Sequence, residues 1–152
     1  MKYFVYIVRL DETSVRKVGV SNNMMGRLDA LQNANPCLLT LETLYHVPDK
    51  QSAYDLEHAI HLLLAGEDKR IRGEWFNCSW KKANEAAKDC AKKLEIKATY
   101  EPIDGINRAR EKNIGNALNN FWEVVDGMPN NLSAICPDTE KEEIEAIISN
   151  YS

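Results

Sequence analysis

Nothing in the sequence places two cysteines at CxxC spacing. Cys37, Cys78, Cys90 and Cys136 are scattered, which indicates neither a zinc ribbon nor a disulfide scaffold. No apolar run approaches the roughly 18 residues that a membrane helix needs. The apolar start "MKYFVYIVRLDE" returns to charge without a small-residue cleavage site, so a soluble cytoplasmic protein is expected. Internal repeats and low-complexity segments are absent, and 152 residues suit one ordinary domain, or one with an appendage. A basic surplus is missing as well. The net charge of −4 argues against nucleic acid, whose binders usually carry a basic footprint. The deficit is uneven, however: residues 1–98 hold 15 Lys+Arg against 13 Asp+Glu, and residues 99–152 hold 4 against 10. The first part can face phosphate; the acidic tail cannot.

What is present reads as α+β. "KYFVYIVR" (2–9) is almost wholly apolar and rich in β-branched and aromatic residues, the pattern of a buried central strand. A short polar link leads to "VRKVGV" (15–20), which predicts a hairpin. Ser21 is the expected N-cap of a helix carrying Arg27, and Pro36 ends it. "LTLETLYHV" (39–47) alternates, with Leu39, Leu41, Thr43, Tyr45 and Val47 expected on one face. Asp49 caps a second helix, 50–65, buried through Ala53, Leu56, Ile60, Leu63 and Leu64. Residues 67–77 are expected as a loop with an aromatic anchor. A third helix, 79–95, turns Trp80, Ala83, Ala87, Cys90 and Leu94 inward, with Lys81, Lys88 and Lys92 on its outer stripe. Residues 98–105 look like a linker, so domains of 1–98 and 99–152 are expected. A helix over 105–126, with Phe121 and Trp122, either packs back or forms a homodimer contact. The expected fold is a three-stranded antiparallel sheet flanked by helices, ββαβαα, with a C-terminal helical extension.

Several residues could carry chemistry, and each has a plain alternative. Arg27 borders an apolar helix stripe, where a long cationic stem can simply cover the core. Glu57 and His61, one helical turn apart, form either a structural pair or part of a site, because a carboxylate at a core border needs a partner. A zinc site at His58 and His61 lacks further ligands at helical spacing. Tyr6 suits packing, and Lys17 suits protection of a strand edge. Lys69, Arg70 and Arg72 beside Trp75 and Phe76 resemble a phosphate-and-stacking patch, or a charged loop pinned by one aromatic.

The order of these elements is more telling than any one. "FVYIV", "KVGVSNNMMGRL", a helix with "LEHAIH", and "RIRGEWF" together resemble the GIY-YIG nuclease superfamily, more narrowly its phage and meiotic DNA-binding branch, over residues 3 to about 80. The resemblance implies the same sheet flanked by helices. It makes Tyr6 the first-motif tyrosine and puts Lys17 where many relatives have the second, with Gly19 kept. Arg27 falls at the helix arginine, and Glu57 at the glutamate that holds Mg²⁺ or Mn²⁺. His61 and Glu74–Trp75–Phe76 match the branch signature, and Asn77 loosely matches a late asparagine. It implies that Tyr6, Lys17, Arg27, Glu57 and His61 line one concave face, with Arg27 within salt-bridge or one-water reach of Glu57. DNA contacts are then expected from Lys69, Arg70, Arg72, Trp75, Lys81 and Lys88. The implied activity is metal-dependent DNA hydrolysis. Lys17 keeps open a non-catalytic DNA-binding module, and the acidic tail a protein-interaction domain.

Overall fold

The computed structural model describes residues 1–113. The rest of the helix expected over 105–126, with Phe121 and Trp122, the acidic tail after it, and the packing or homodimer contact expected of that helix lie outside the described residues. One compact unit spans Met1–Asp104, and a second begins at Gly105.

The apolar run at the N-terminus makes β1, Tyr3–Leu10, a central strand. It lies between β2, Val15–Ser21, and β3, Leu39–Val47, antiparallel to both. Val5, Tyr6, Ile7 and Val8 are all fully buried, as a strand covered on both faces requires. Between and after these strands come α1 (Met24–Asn33), α2 (Lys50–Gly66), β4 (Arg70–Arg72), β5 (Trp75–Asn77), α3 (Trp80–Lys93) and β6 (Thr99–Tyr100). The sheet is six-stranded and antiparallel, in the order β4-β5-β2-β1-β3-β6.

The expected three strands are therefore the middle of a larger sheet. Residues 67–77, expected as a loop, form the β4–β5 hairpin, and the supposed linker supplies β6. The order ββαβαα becomes ββαβαββαβ over residues 3–100. Strands of two or three residues are too short to show alternation. The hairpin turns at Gly73, whose φ of +54° suits a residue without Cβ.

The helix starts follow capping chemistry. Asp49 caps α2, accepting from the Ser52 amide at 2.7 Å, and that bond holds its carboxyl below the ordinary range. At α1 the cap is Asn23 rather than Ser21. Asn23 Oδ1 accepts from Gly26 N at 3.1 Å, while Ser21 Oγ accepts from Asn23 N at 3.0 Å, two residues too early to cap.

Strand β3 departs from simple alternation. Val8 pairs with Leu41 while Ile7 pairs with Thr43, so Glu42 is an inserted residue, a β-bulge. Leu39 and Leu41 therefore share the face of Tyr6 and Val8, and Thr43, Tyr45 and Val47 share the face of Val5 and Ile7; the single shared face expected for all five does not exist. On the second face, Ala53, Leu56, Ile60 and Leu64 of α2 pack with Ala83, Ala86, Ala87 and Cys90 of α3 against Val5, Ile7 and Val18. Trp80 and Leu94, expected inward, are 42% and 44% exposed. Trp80 instead donates from Nε1 to Thr43 Oγ1 at 2.7 Å.

The bulge also aims Glu42 at Arg16, a strand away across β1. Arg16 Nε donates to Glu42 Oε1 at 2.6 Å and its Nη1 to the Cys78 carbonyl at 2.7 Å. Both side chains of this ion pair are nearly buried, 8% and 13% exposed. Removing one partner strands the other charge in a medium that cannot solvate it. Glu42→Ala is expected to cost about 3 kcal/mol in denaturant melts, and Glu42→Gln clearly less, since it keeps an acceptor for Arg16.

Candidate functional site

Strand β5 pairs with β2 only at Val15, Arg16 and Lys17. Past Lys17 the outer edge of β2 is open, and the candidate residues gather there. The backbone of Val18 faces this gap: its N–H donates to the Glu74 carbonyl at 3.3 Å. Its carbonyl can only accept, so His61 Nε2 is the donor at 2.8 Å. His61 is buried, and burial lowers its pKa. A neutral ring whose Nε2 proton is already committed makes no ion pair with Glu57 Oε1, which lies 3.8 Å from it. His61 finishes the strand edge.

Tyr6 and Gly19 stand opposite each other on β1 and β2. A Cβ at position 19 would run into the Tyr6 hydroxyl and ring, so glycine is what lets the phenol lie across β2 toward the open edge. There Arg27 of α1 donates from Nε to the Tyr6 oxygen at 3.3 Å. Burial pushes the Tyr6 phenol up, against the opposing pull of Arg27. Arg27 makes no salt bridge with Glu57 among the described residues. Its charge still draws the Glu57 pKa down.

The partner of Glu57 is a second carboxylate, Glu74, from the β4–β5 turn. Burial first, then the charge of Glu74 and a hydrogen bond with it, push Glu57 up to about 7. Glu74 moves the other way. Burial would raise it, but the hydrogen bond and charge of Lys17 outweigh that and hold it below the usual carboxylate range. Lys17, nearly buried on β2, forms an ion pair with Glu74, and its ammonium also lies 5.8 Å from the Trp75 ring centre. Glu57 is thus pushed toward its protonated form, while Lys17 favours the ionised form of Glu74. Glu74 was visible in the sequence only as part of the "GEWF" signature; its place against Glu57 depends on a hairpin that periodicity did not reveal.

Two carboxylates crowded over one proton are the hard oxygen donors that Mg²⁺ and Mn²⁺ prefer. No group of three or more His, Cys, Asp or Glu suited to a metal occurs among the described residues. Two carboxylates do not make up the four-ligand set of a closed zinc site.

The expected DNA-contacting residues separate into two groups. Lys69, Arg70, Arg72 and Trp75 lie on the hairpin that carries Glu74, with the Arg70 guanidinium 5.5 Å from the Phe76 ring centre. Lys81 and Lys88 project from α3. Lys88 lies over Tyr100 of β6, 5.4 Å from the ring centre, on the strand at the opposite edge of the sheet from β4.

With this arrangement in place, the comparison with known proteins is informative. The T5orf172 domain matches residues 3–95, more than half of the 152-residue chain. The chain belongs to the T5orf172 domain family. This is a phage-related domain associated with endonuclease-like proteins, and the match suggests a nuclease or DNA-binding domain. No curated protein and no solved structure matches the chain. No helix among the described residues is long and apolar enough to cross a membrane.

Two measurements probe the site as a physical object. Gly19→Ala is expected to destabilise by about 1–3 kcal/mol, as overpacking does. In the Tyr6→Ala background it should cost much less, because the obstructing ring is gone; a double-mutant cycle in urea reads the coupling, and additive costs would contradict the packing described. The second measurement uses pH. A carboxyl whose folded pKa is raised stabilises the fold fully below the unfolded value of 4.5, and loses that contribution as pH rises through about 7. The melting temperature of Glu57→Gln relative to the unaltered protein should therefore increase as pH climbs across this window. A difference independent of pH would contradict it.

Proposed function

We propose that this T5orf172 domain is a metal-dependent DNA endonuclease of the GIY-YIG type. The observation that carries the reading is the meeting of Tyr6, Lys17, Arg27, Glu57 and Glu74 at the open edge of β2, with His61 closing the strand behind them. Phosphodiester hydrolysis needs a nucleophile, charge compensation on the phosphate, and a held geometry. Glu57, with Glu74 beside it, would hold Mg²⁺ or Mn²⁺, which when bound supplies Lewis acidity and positive charge. Arg27 is anchored through Nε to Tyr6, which leaves the outer nitrogens of its fork for two phosphate oxygens. The Tyr6 phenol, its pKa raised, is a proton-bearing group at neutral pH that orients a water or a substrate oxygen. Lys17 keeps Glu74 ionised and brings a second cation to the phosphate.

A second reading, a DNA-binding module without turnover, has its own support. Lys17 stands where the resemblance expects a tyrosine, and its ammonium is engaged by Glu74. In both readings the cations of the β4–β5 hairpin contact the DNA backbone. DNA is the partner this reading implies.

Glu57→Gln separates the two. The amide matches the protonated carboxyl in size but gives up the charge that holds a hard cation. For the enzyme, plasmid nicking in Mg²⁺ or Mn²⁺ should fall by orders of magnitude, with metal-free DNA affinity nearly unchanged. An unaltered protein that binds DNA but never nicks it in either metal would leave the binding module as the function.

A further inference from the structure

Beside the candidate site, and sharing Arg27 with it, lies a cavity of about 440 Å³ between α1, the end of β2 and the start of α2. Its wall includes Arg27, Lys50, Tyr54, Ser21 and Asn22, and no acidic residue lines it. Lys50 has no salt bridge among the described residues; its ammonium rests 5.9 Å from the Tyr54 ring centre. Tyr54 is 50% exposed although large and aromatic. Two cations and a half-exposed aromatic ring, in a chain of net charge −4, form a local site for an anion attached to a flat ring. The volume falls in the range of about 300–1,000 Å³ typical of small-ligand clefts, which suits one nucleotide rather than a protein surface.

We infer that this cavity holds the nucleotide next to the reacting phosphodiester of a DNA strand, with its own phosphate on Lys50 and its base stacked on Tyr54. The inference rests on the nucleic-acid reading of the site and adds a subsite to it. Arg27 sets the connection. A phosphate gripped by its fork at the candidate site leaves the next nucleotide within reach of the cavity that Arg27 also lines. The hydroxyl and amide of Ser21 and Asn22 supply hydrogen-bonding groups for the sugar and base edge. Stacking on Tyr54 tolerates any base, since every base has a π-face, so the subsite positions the strand without reading sequence.

The test is fluorescence anisotropy of a short labelled thymidine oligonucleotide with the full-length protein across a salt series. The variants are Tyr54→Ala, Tyr54→Phe, Lys50→Ala and, on the hairpin, Arg72→Ala. Tyr54 and Lys50 are exposed, and thermal melts verify that the variants fold. Loss of one stacked base should weaken binding about 5- to 150-fold in Tyr54→Ala, while Tyr54→Phe keeps the unaltered affinity. Lys50→Ala should lower the slope of log affinity against log salt by about 0.7, the loss of one phosphate contact on a single strand. Affinity unchanged in Tyr54→Ala and Lys50→Ala but reduced in Arg72→Ala would overturn the subsite and leave the nucleic-acid reading standing. An unaltered protein that binds no oligonucleotide would overturn both. Free thymidine monophosphate is the remaining arm: saturable binding of it that needs Tyr54, with no oligonucleotide binding, would reassign the cavity to free nucleotides and overturn the strand proposal.

Discussion

The ion pair of Lys17 and Glu74 is the constraint on which the rest of this site depends. Lys17 sits on the third strand of the sheet with its side chain 8% exposed, where an unpaired ammonium would be costly. Glu74 answers that charge, and to do so the β4–β5 turn must fold over the open edge of β2. Once there, Glu74 adds to the effect of burial in raising the Glu57 pKa. One buried lysine thus fixes a hairpin, the charge state of two carboxylates and the character of the site. Because Glu74 is 41% exposed, solvent takes part of its load, and the pair organises the site more than it stabilises the fold.

The division of labour between the two sheet faces follows from side-chain alternation. Helices α2 and α3 cover the face of Val5, Ile7 and Val18, while Tyr6 faces away from them and meets Arg27 of α1. Residues from the two faces can meet only where the sheet has an edge. β2 supplies one because β5 stops at Lys17, and Gly19 removes the side chain that would block the passage of Tyr6. The expectation of a single concave face gives way to a site built around a strand edge.

Much of this was legible from local pattern. The apolar run of β1, the hairpin to β2, and the Asp49 cap ahead of Ala53, Leu56, Ile60 and Leu64 are all short-range signals, and the structure contains each. What the sequence hid depends on distant partners. "RIRGEWFN" shows no alternation, since β4 is exposed along its whole length, so its pairing with β5 could not be read. The bulge at Glu42 preserved the look of an alternating strand while moving Leu39 and Leu41 to the other face. Tyr6, Arg27 and Glu57 were legible because motif order carries them. The Glu57–Glu74 pair was not, because residues 17 apart become neighbours only through an unread hairpin.

The unequal strand lengths have a consequence for association. The long strands, β2, β1 and β3, lie inside the sheet, and its two borders are β4, of three residues, and β6, of two. β4 bears Arg70 and Arg72 and ends at the sharp turn of Gly73. The stretch of β2 left unpaired by β5 has its Val18 carbonyl taken by His61. A foreign strand meets a cationic three-residue stub at β4, and on β2 an edge whose Val18 carbonyl is already held by an imidazole. The fold can therefore open one strand edge for chemistry without offering it for edge-to-edge aggregation.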